Sequence, residues 1–183
     1  VPTGSMEKSV LTGDLVLVNK FVYAARGGRL LGRLLPAREL RRGDVVVFRF
    51  PEDPRRDFIK RVVALPGETV AIRDKRVWVD GRQVAEPPSA FHADDAIWPD
   101  DSQIAESRRR RDQLPPLRVP DGAYFVMGDN RDDSSDSRYW RFLPRTYVKG
   151  RAMTIYFSYD PDATGSLSLL TSIRWGRLFK QVH

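Results

Sequence analysis

Asp57-Phe58-Ile59-Lys60-Arg61-Val62-Val63-Ala64-Leu65-Pro66-Gly67-Glu68 is the stretch on which the fold turns. Its aromatic and β-branched run stops at Pro66-Gly67, which reads as a strand closed by a turn. Runs of the same kind recur at Leu15-Val16-Leu17-Val18, Val45-Val46-Val47-Phe48, Val70-Ala71-Ile72, Val77-Trp78-Val79, Tyr124-Phe125-Val126-Met127 and Met153-Thr154-Ile155-Tyr156-Phe157. Asp80-Gly81, between Val77-Trp78-Val79 and Arg82-Gln83-Val84, is a two-residue hairpin signal. Helical signals are few and short. The pattern predicts a mostly β fold of antiparallel sheets and not a series of βαβ units.

Within the opening stretch, period-two alternation puts Lys60 on the face of Phe58, Val62 and Ala64. A strand lysine more often sits at an edge or faces water. If that face is the core, the lysine is buried, and desolvation lowers its pKa until a neutral amine is available as a base.

With 41% hydrophobic residues in 183, the chain has enough apolar surface for a sizeable core in one compact unit, with room for a subdomain. The absence of cysteine excludes disulfides, thiolate metal sites and a thiol nucleophile. A net charge of +7 points to an anionic partner, either nucleic acid or lipid head groups. From Glu86 to Pro120 the composition shifts to Pro, Asp, Ser and Arg, as in a variable insertion, and Arg108-Arg109-Arg110-Arg111 reads as a solvated face, with lipid contact as the sharper alternative. Arg26 to Leu40 alternates Arg with Leu and Gly like an exposed hairpin tip near a membrane. Ile173-Arg174-Trp175-Gly176-Arg177-Leu178-Phe179-Lys180 mixes basic and bulky apolar residues as interfacial segments do. No apolar run approaches the roughly 20 residues that span a bilayer. The opening Val1-Pro2-Thr3-Gly4-Ser5, without a starter Met, leads us to expect a membrane anchor upstream.

Four segments set reactive residue types beside β runs. Pro2-Thr3-Gly4-Ser5-Met6 is a turn presenting a hydroxyl, and Gly13-Asp14 precedes a strand. Arg42-Gly43-Asp44 leads into Val45-Val46-Val47-Phe48 and the Lys60 strand. Met127-Gly128-Asp129-Asn130-Arg131-Asp132-Asp133-Ser134-Ser135-Asp136-Ser137-Arg138-Tyr139-Trp140 is dense in acids and hydroxyls, but Arg131 stands where a calcium loop needs a ligand. The only histidines, His92 and His183, fall outside any Ser-His-Asp arrangement.

Taken together and in this order, these segments resemble the boxes of bacterial type I signal peptidases. Pro2 to Met6 is similar to the nucleophile box, Arg42 to Phe48 and Phe58 to Gly67 to the lysine box, and Gly128 to Asp132 with Ser134, Asp136, Ser137 and Arg138 to the last box. Two departures stand out: Lys8 replaces a common Pro, and Ala64 a frequent Gly. The resemblance implies a membrane-associated serine endopeptidase in which Ser5 is the nucleophile and Lys60 the general base. It further implies that the Ser134 hydroxyl holds the Lys60 amine and that Asp136 and Arg138 form an ion pair. The Ser5 N–H and the Thr3 hydroxyl would form the oxyanion hole. Val1, Pro2, Met6, Val16, Val47, Phe58 and Ile59 would shape shallow pockets for small residues, giving an Ala-x-Ala preference, with the peptide adding as a strand.

The expected partners are the signal peptides of secretory preproteins and a membrane lipid surface, with no nucleic acid, no cofactor or metal, and a monomeric state. The expected location is the bacterial cytoplasmic membrane, with this domain on the extracytoplasmic, periplasmic side. Residues 1–68 and 122–183 are expected to form the catalytic core of the signal-peptidase and SOS-repressor type of β fold, and 69–121 an inserted, smaller β and loop subdomain. Two other readings compete: a self-cleaving Ser-Lys repressor, for which neither a helix-turn-helix nor a cleavage site is visible, and a non-catalytic basic β module binding nucleic acid.

Overall fold

In the computed structural model, residues 4–20, 39–161 and 172–182 are described. The strands are β1 (Asp14–Asn19), β2 (Val45–Arg49), β3 (Asp57–Ala64), β4 (Thr69–Arg73), β5 (Arg76–Val79), β6 (Arg82–Gln83), β7 (Leu114–Arg118), β8 (Ala123–Met127), β9 (Leu143–Pro144) and β10 (Val148–Ser158). Two short helices, α1 (Glu106–Asp112) and α2 (Ser137–Trp140), accompany them. All the strand pairs are antiparallel, in one sheet of order β1-β10-β2-β3-β8-β9 and a second of order β6-β5-β4-β7. The fold is mostly β, as the β-branched runs predict. Asp80 and Gly81 both take positive φ, 50° and 75°, as a tight hairpin between β5 and β6 requires.

Two elements of the inserted segment depart from the sequence expectation. β7 is Leu-Pro-Pro-Leu-Arg, and two prolines argue against a strand. It forms because β7 is an edge strand with exposed prolines: a missing N–H on the open side disrupts no ladder, and the register with β4 breaks between Val70 and Ile72, opposite the two prolines. The arginine run is a solvated face only in part. It forms α1, in which Arg109 pairs with Asp100, Arg110 with Glu106, and Arg111 with Asp94 and Asp112. Arg108 alone in the run is exposed, and it lies 4.7 Å over the Trp98 ring.

Three apolar clusters explain why β3 lies in the centre. One joins the two sheets, packing Val63 and Ala64 with Val70, Ile72, Val77, Phe125 and Met127. A second packs Val46, Phe48 and Val62 with Val126 and Leu143, and a third packs Val45 and Ile59 with Met6 and Val10. Both faces of β3 are therefore covered, and every residue from Ile59 to Ala64 is buried. The register sets Lys60 opposite Val46, on the face lined by Phe48 and Val62. On its other edge, β3 pairs with β8 at Arg61↔Met127, Val62↔Val126 and Ala64↔Phe125, so β8 leaves Asp57 to Lys60 uncovered.

Gly13 has φ +91° and packs its Cα against the carbonyl of Tyr159, which only glycine permits. Asp14 is fully buried, accepts from the Leu11 amide and pairs with Arg177 at 2.6 Å, tying the C-terminal segment to β1. That segment also bonds to β10 through the Phe179 and Val182 amides. Trp175 is 66% exposed and Phe179 76%, and Leu15, Leu17 and Tyr159 of the β1 and β10 region are exposed as well. Among the described residues no helix is long and apolar enough to cross a membrane. Most of the Arg26 to Leu40 stretch lies outside them.

Candidate active site

Ser5 sits in a 3-10 turn, Gly4–Met6, whose Met6 side chain is fully buried against Ile59 and Val45. The following loop holds that turn from outside. The Asn130 amide donates to the Ser5 carbonyl at 3.1 Å, and the Asp129 amide meets Met6 Sδ at 3.4 Å. The turn thereby lies beside the part of β3 that β8 leaves uncovered. Lys60 Nζ is 2.6 Å from Ser5 Oγ, with Lys60 only 3% exposed and its Nζ 5.4 Å from the Phe58 ring centre. Burial lowers the Lys60 pKa from 10.5 to about 8; Asp136, Asp129 and Asp133 oppose the shift and Arg138 adds to it. An amine that gives up its proton more readily than a free lysine thus touches a hydroxyl, the arrangement in which an alcohol loses its proton to an internal base once the amine is neutral.

The loop from Gly128 to Trp140 closes the other side. Asp136 is fully buried, caps α2 through the Arg138 amide, and accepts from the Gly128 amide at 3.0 Å. Its carboxylate takes a two-pronged contact from Arg138, Nε at 2.9 Å and Nη2 at 2.8 Å. Burial by itself raises the Asp136 pKa, but the Arg138 charge and these hydrogen bonds outweigh it and hold the carboxyl below its ordinary value. The Ser134 hydroxyl is buried against Gly128 and has no hydrogen-bond partner among the described residues. It helps to hold the Asp136 carboxyl ionised, without reaching the geometry of a full bond. The expected hydrogen bond from Ser134 to the Lys60 amine is therefore not formed, because the hydroxyl is turned against Gly128.

A second buried pair was not foreseen as part of the site. Arg61 meets Asp129 through Nε at 2.7 Å and Nη2 at 2.6 Å, with the side chains 4% and 0% exposed. Ser9 and Ser89 donate to the same carboxylate, and Arg61 Nη1 donates to the Gly43 carbonyl. The sequence signal was present: an arginine inside an apolar strand demands a buried carboxylate, although nothing local says which one. Asp132 anchors the inserted segment through Lys75, the His92 ring and the Ala93 and Asp94 amides.

Of the residues expected to bind substrate, Val16, Val47, Phe58 and Ile59 line one open cavity of about 270 Å³ together with Asp14, Asp57 and Tyr156. Met6 packs against Ile59, with Val16 and Val47 alongside. Val1, Pro2 and the expected oxyanion donor Thr3 lie outside the described residues.

A hydroxyl and a sheltered amine in contact on a β frame define a candidate peptidase, and comparison with known families agrees with that class. The family described as signal peptidase, peptidase S26, matches residues 1–157, and the chain belongs to it. It is similar to the signal peptidase I of Pseudomonas aeruginosa, 37% identical over 88% of this chain and 64% of that one. It is also similar to the signal peptidase I of Aquifex aeolicus, 31% identical over 86% of this chain and 74% of that one. A crystal structure of a signal peptidase I from Enterococcus faecalis V583 aligns with a TM-score of 0.46 at 32% identity, covering 62% of this chain and 96% of that chain. The chain spans 64% of the length of the Pseudomonas aeruginosa and Pseudomonas fluorescens relatives.

Proposed function

We propose that this protein is a signal-peptide-removing serine endopeptidase using Ser5 as nucleophile and Lys60 as general base. The observation that carries the reading is the 2.6 Å contact between Ser5 Oγ and a buried Lys60 Nζ. In the proposed reaction Ser5 Oγ attacks the carbonyl carbon of the scissile bond while Lys60 accepts the hydroxyl proton. The tetrahedral intermediate collapses as Lys60 returns that proton to the leaving amine, which departs and leaves an ester on Ser5. Lys60 then takes a proton from water, the hydroxide attacks the ester, and Ser5 regains its hydrogen. The Ser5 N–H and the Thr3 hydroxyl are the proposed oxyanion donors. Asp136 and Arg138 shape the loop behind the amine, and Ser134 is assigned to keep that loop tightly packed.

The substrate reading is part of the same proposal. An extended peptide would add to the uncovered edge of β3 at Asp57 to Lys60, with its side chains entering the cavity of Val16, Val47, Phe58 and Ile59. Small residues before the cleaved bond fit such pockets, which favours an Ala-x-Ala pattern in secretory preproteins. The exposed Leu15, Leu17, Trp175 and Phe179 favour contact with a lipid surface. The proposal places the protein as a monomer on the extracytoplasmic side of the membrane, without nucleic acid. We further assign residues 1–68 and 122–183 to the catalytic core and 69–121 to an insertion, in line with the two sheets.

Ser5→Ala and Lys60→Ala should each abolish cleavage of a preprotein with the fold retained, and Lys60→Arg should be inactive because a guanidinium does not release its proton at accessible pH. The amine must be neutral to act, so cleavage should fall as pH drops through about 8, the value to which burial brings Lys60. Preprotein cleavage scored by gel and a pH–rate profile check both. Full activity in Ser5→Ala or Lys60→Ala would overturn the assignment.

A further inference from the structure

We propose that Phe91, in the inserted segment, is a positioning residue for the nucleophile, tying Lys8 and the Asp129–Arg131 main chain into a ring of contacts around Ser5. The inference rests on the reading of Ser5 given above. Its main-chain half is a parallel bridge between Phe91 and Asn130: the Phe91 amide donates to the Asp129 carbonyl at 2.9 Å, and the Arg131 amide donates to the Phe91 carbonyl at 2.9 Å. Asn130, held between those two bonds, is the residue whose amide grips the Ser5 carbonyl. Ser89, two residues before Phe91, reinforces the bridge by donating to the Asp129 carboxylate at 2.9 Å.

The side-chain half closes the ring. Lys8 Nζ lies 4.4 Å from the centre of the Phe91 ring, within the range of a cation–π contact. Lys8 follows Ser5 by one helical turn, and the Glu7 and Val10 amides fold that stretch back on Gly4 and Met6. A path therefore runs from Ser5 through Asn130, Phe91 and Lys8 back to Ser5.

The experiment reads the Asn130 amide and the reaction separately. Phe91→Pro removes the donor to Asp129 and should speed hydrogen exchange at Asn130 by about tenfold or more, as local opening becomes easier. On a signal-peptide substrate it should lower kcat by about tenfold with KM changed less than about threefold. It should also shift the acid limb of the pH–rate profile upward, because a displaced turn lets water reach Lys60. A loss of folded protein scales the rate equally at every pH and leaves that limb in place. Phe91→Tyr keeps ring and main chain and should restore both readouts. Phe91→Leu keeps the bridge but not the ring, and a cycle with Lys8→Ala should give a coupling of about two- to fivefold in kcat. Unchanged Asn130 exchange in Phe91→Pro, or a cycle with no coupling, overturns the proposal. Should Phe91→Pro not fold, the cycle alone decides. If the wild type cleaves no signal peptide, the functional reading fails, and Asn130 exchange in Phe91→Pro and in the cycle variants still decides the strap.

Discussion

Gly128 is where the site is tightest. A Cβ there would collide with the Ser134 side chain and stand 2.6 Å from the Ser5 carbonyl, so glycine is required by space and not by backbone angle. Gly128→Ala should lower kcat by about a hundredfold, on the order of a misplaced catalytic group, and cost roughly 1–3 kcal/mol of stability from overpacking. Steady-state kinetics beside urea unfolding would show both. Little of this was legible in the chain. The hydroxyl of Ser5 and the amine of Lys60 stood out through their motifs, but Arg61 and Asp129 find each other across 68 positions, and a turn of Ser134 toward Gly128 is set by packing that no spacing encodes.

At the scale of elements, strands written in β-branched and aromatic residues were readable, and β3 was read almost to its ends. Among the elements that escaped was β7, because Pro115 and Pro116 are breakers in any local reading. Their value appears only once the sheet order is known. As the last strand of the second sheet, β7 would offer free amides to another chain, and proline has none to offer. Replacing both Pro115 and Pro116 with Val should leave the fold intact and produce concentration-dependent self-association, seen by light scattering. α1 escaped for a different reason: four arginines in a row read as a water-facing run until Asp94, Asp100, Glu106 and Asp112 are brought round to meet them.

For the molecule as a whole, two buried ion pairs, Arg61 with Asp129 and Arg138 with Asp136, lie close to Lys60. Burial works to raise the pKa of both carboxyls, and the arginines and donors reverse the sign, leaving both below the ordinary 3.8. A depressed carboxyl stabilises the fold above its unfolded pKa, and that contribution disappears as pH falls through the folded one. Stability should therefore hold down to about pH 4 and decline below it. Asp129→Asn, which strands a buried guanidinium, should be less stable at neutral pH by about 3–5 kcal/mol and show a flatter acid decline. Thermal unfolding between pH 2 and 7 measures it. The inserted segment meets these pairs through Ser89, which donates to Asp129 and accepts from Arg61, and through the Arg111 carbonyl, which accepts from Arg138. Between them Pro99 to Ala105 is a mostly exposed bend. That bend should therefore tolerate a change of length, and an epitope or dye grafted there would report on the protein from a distance without touching the contact between Ser5 and Lys60.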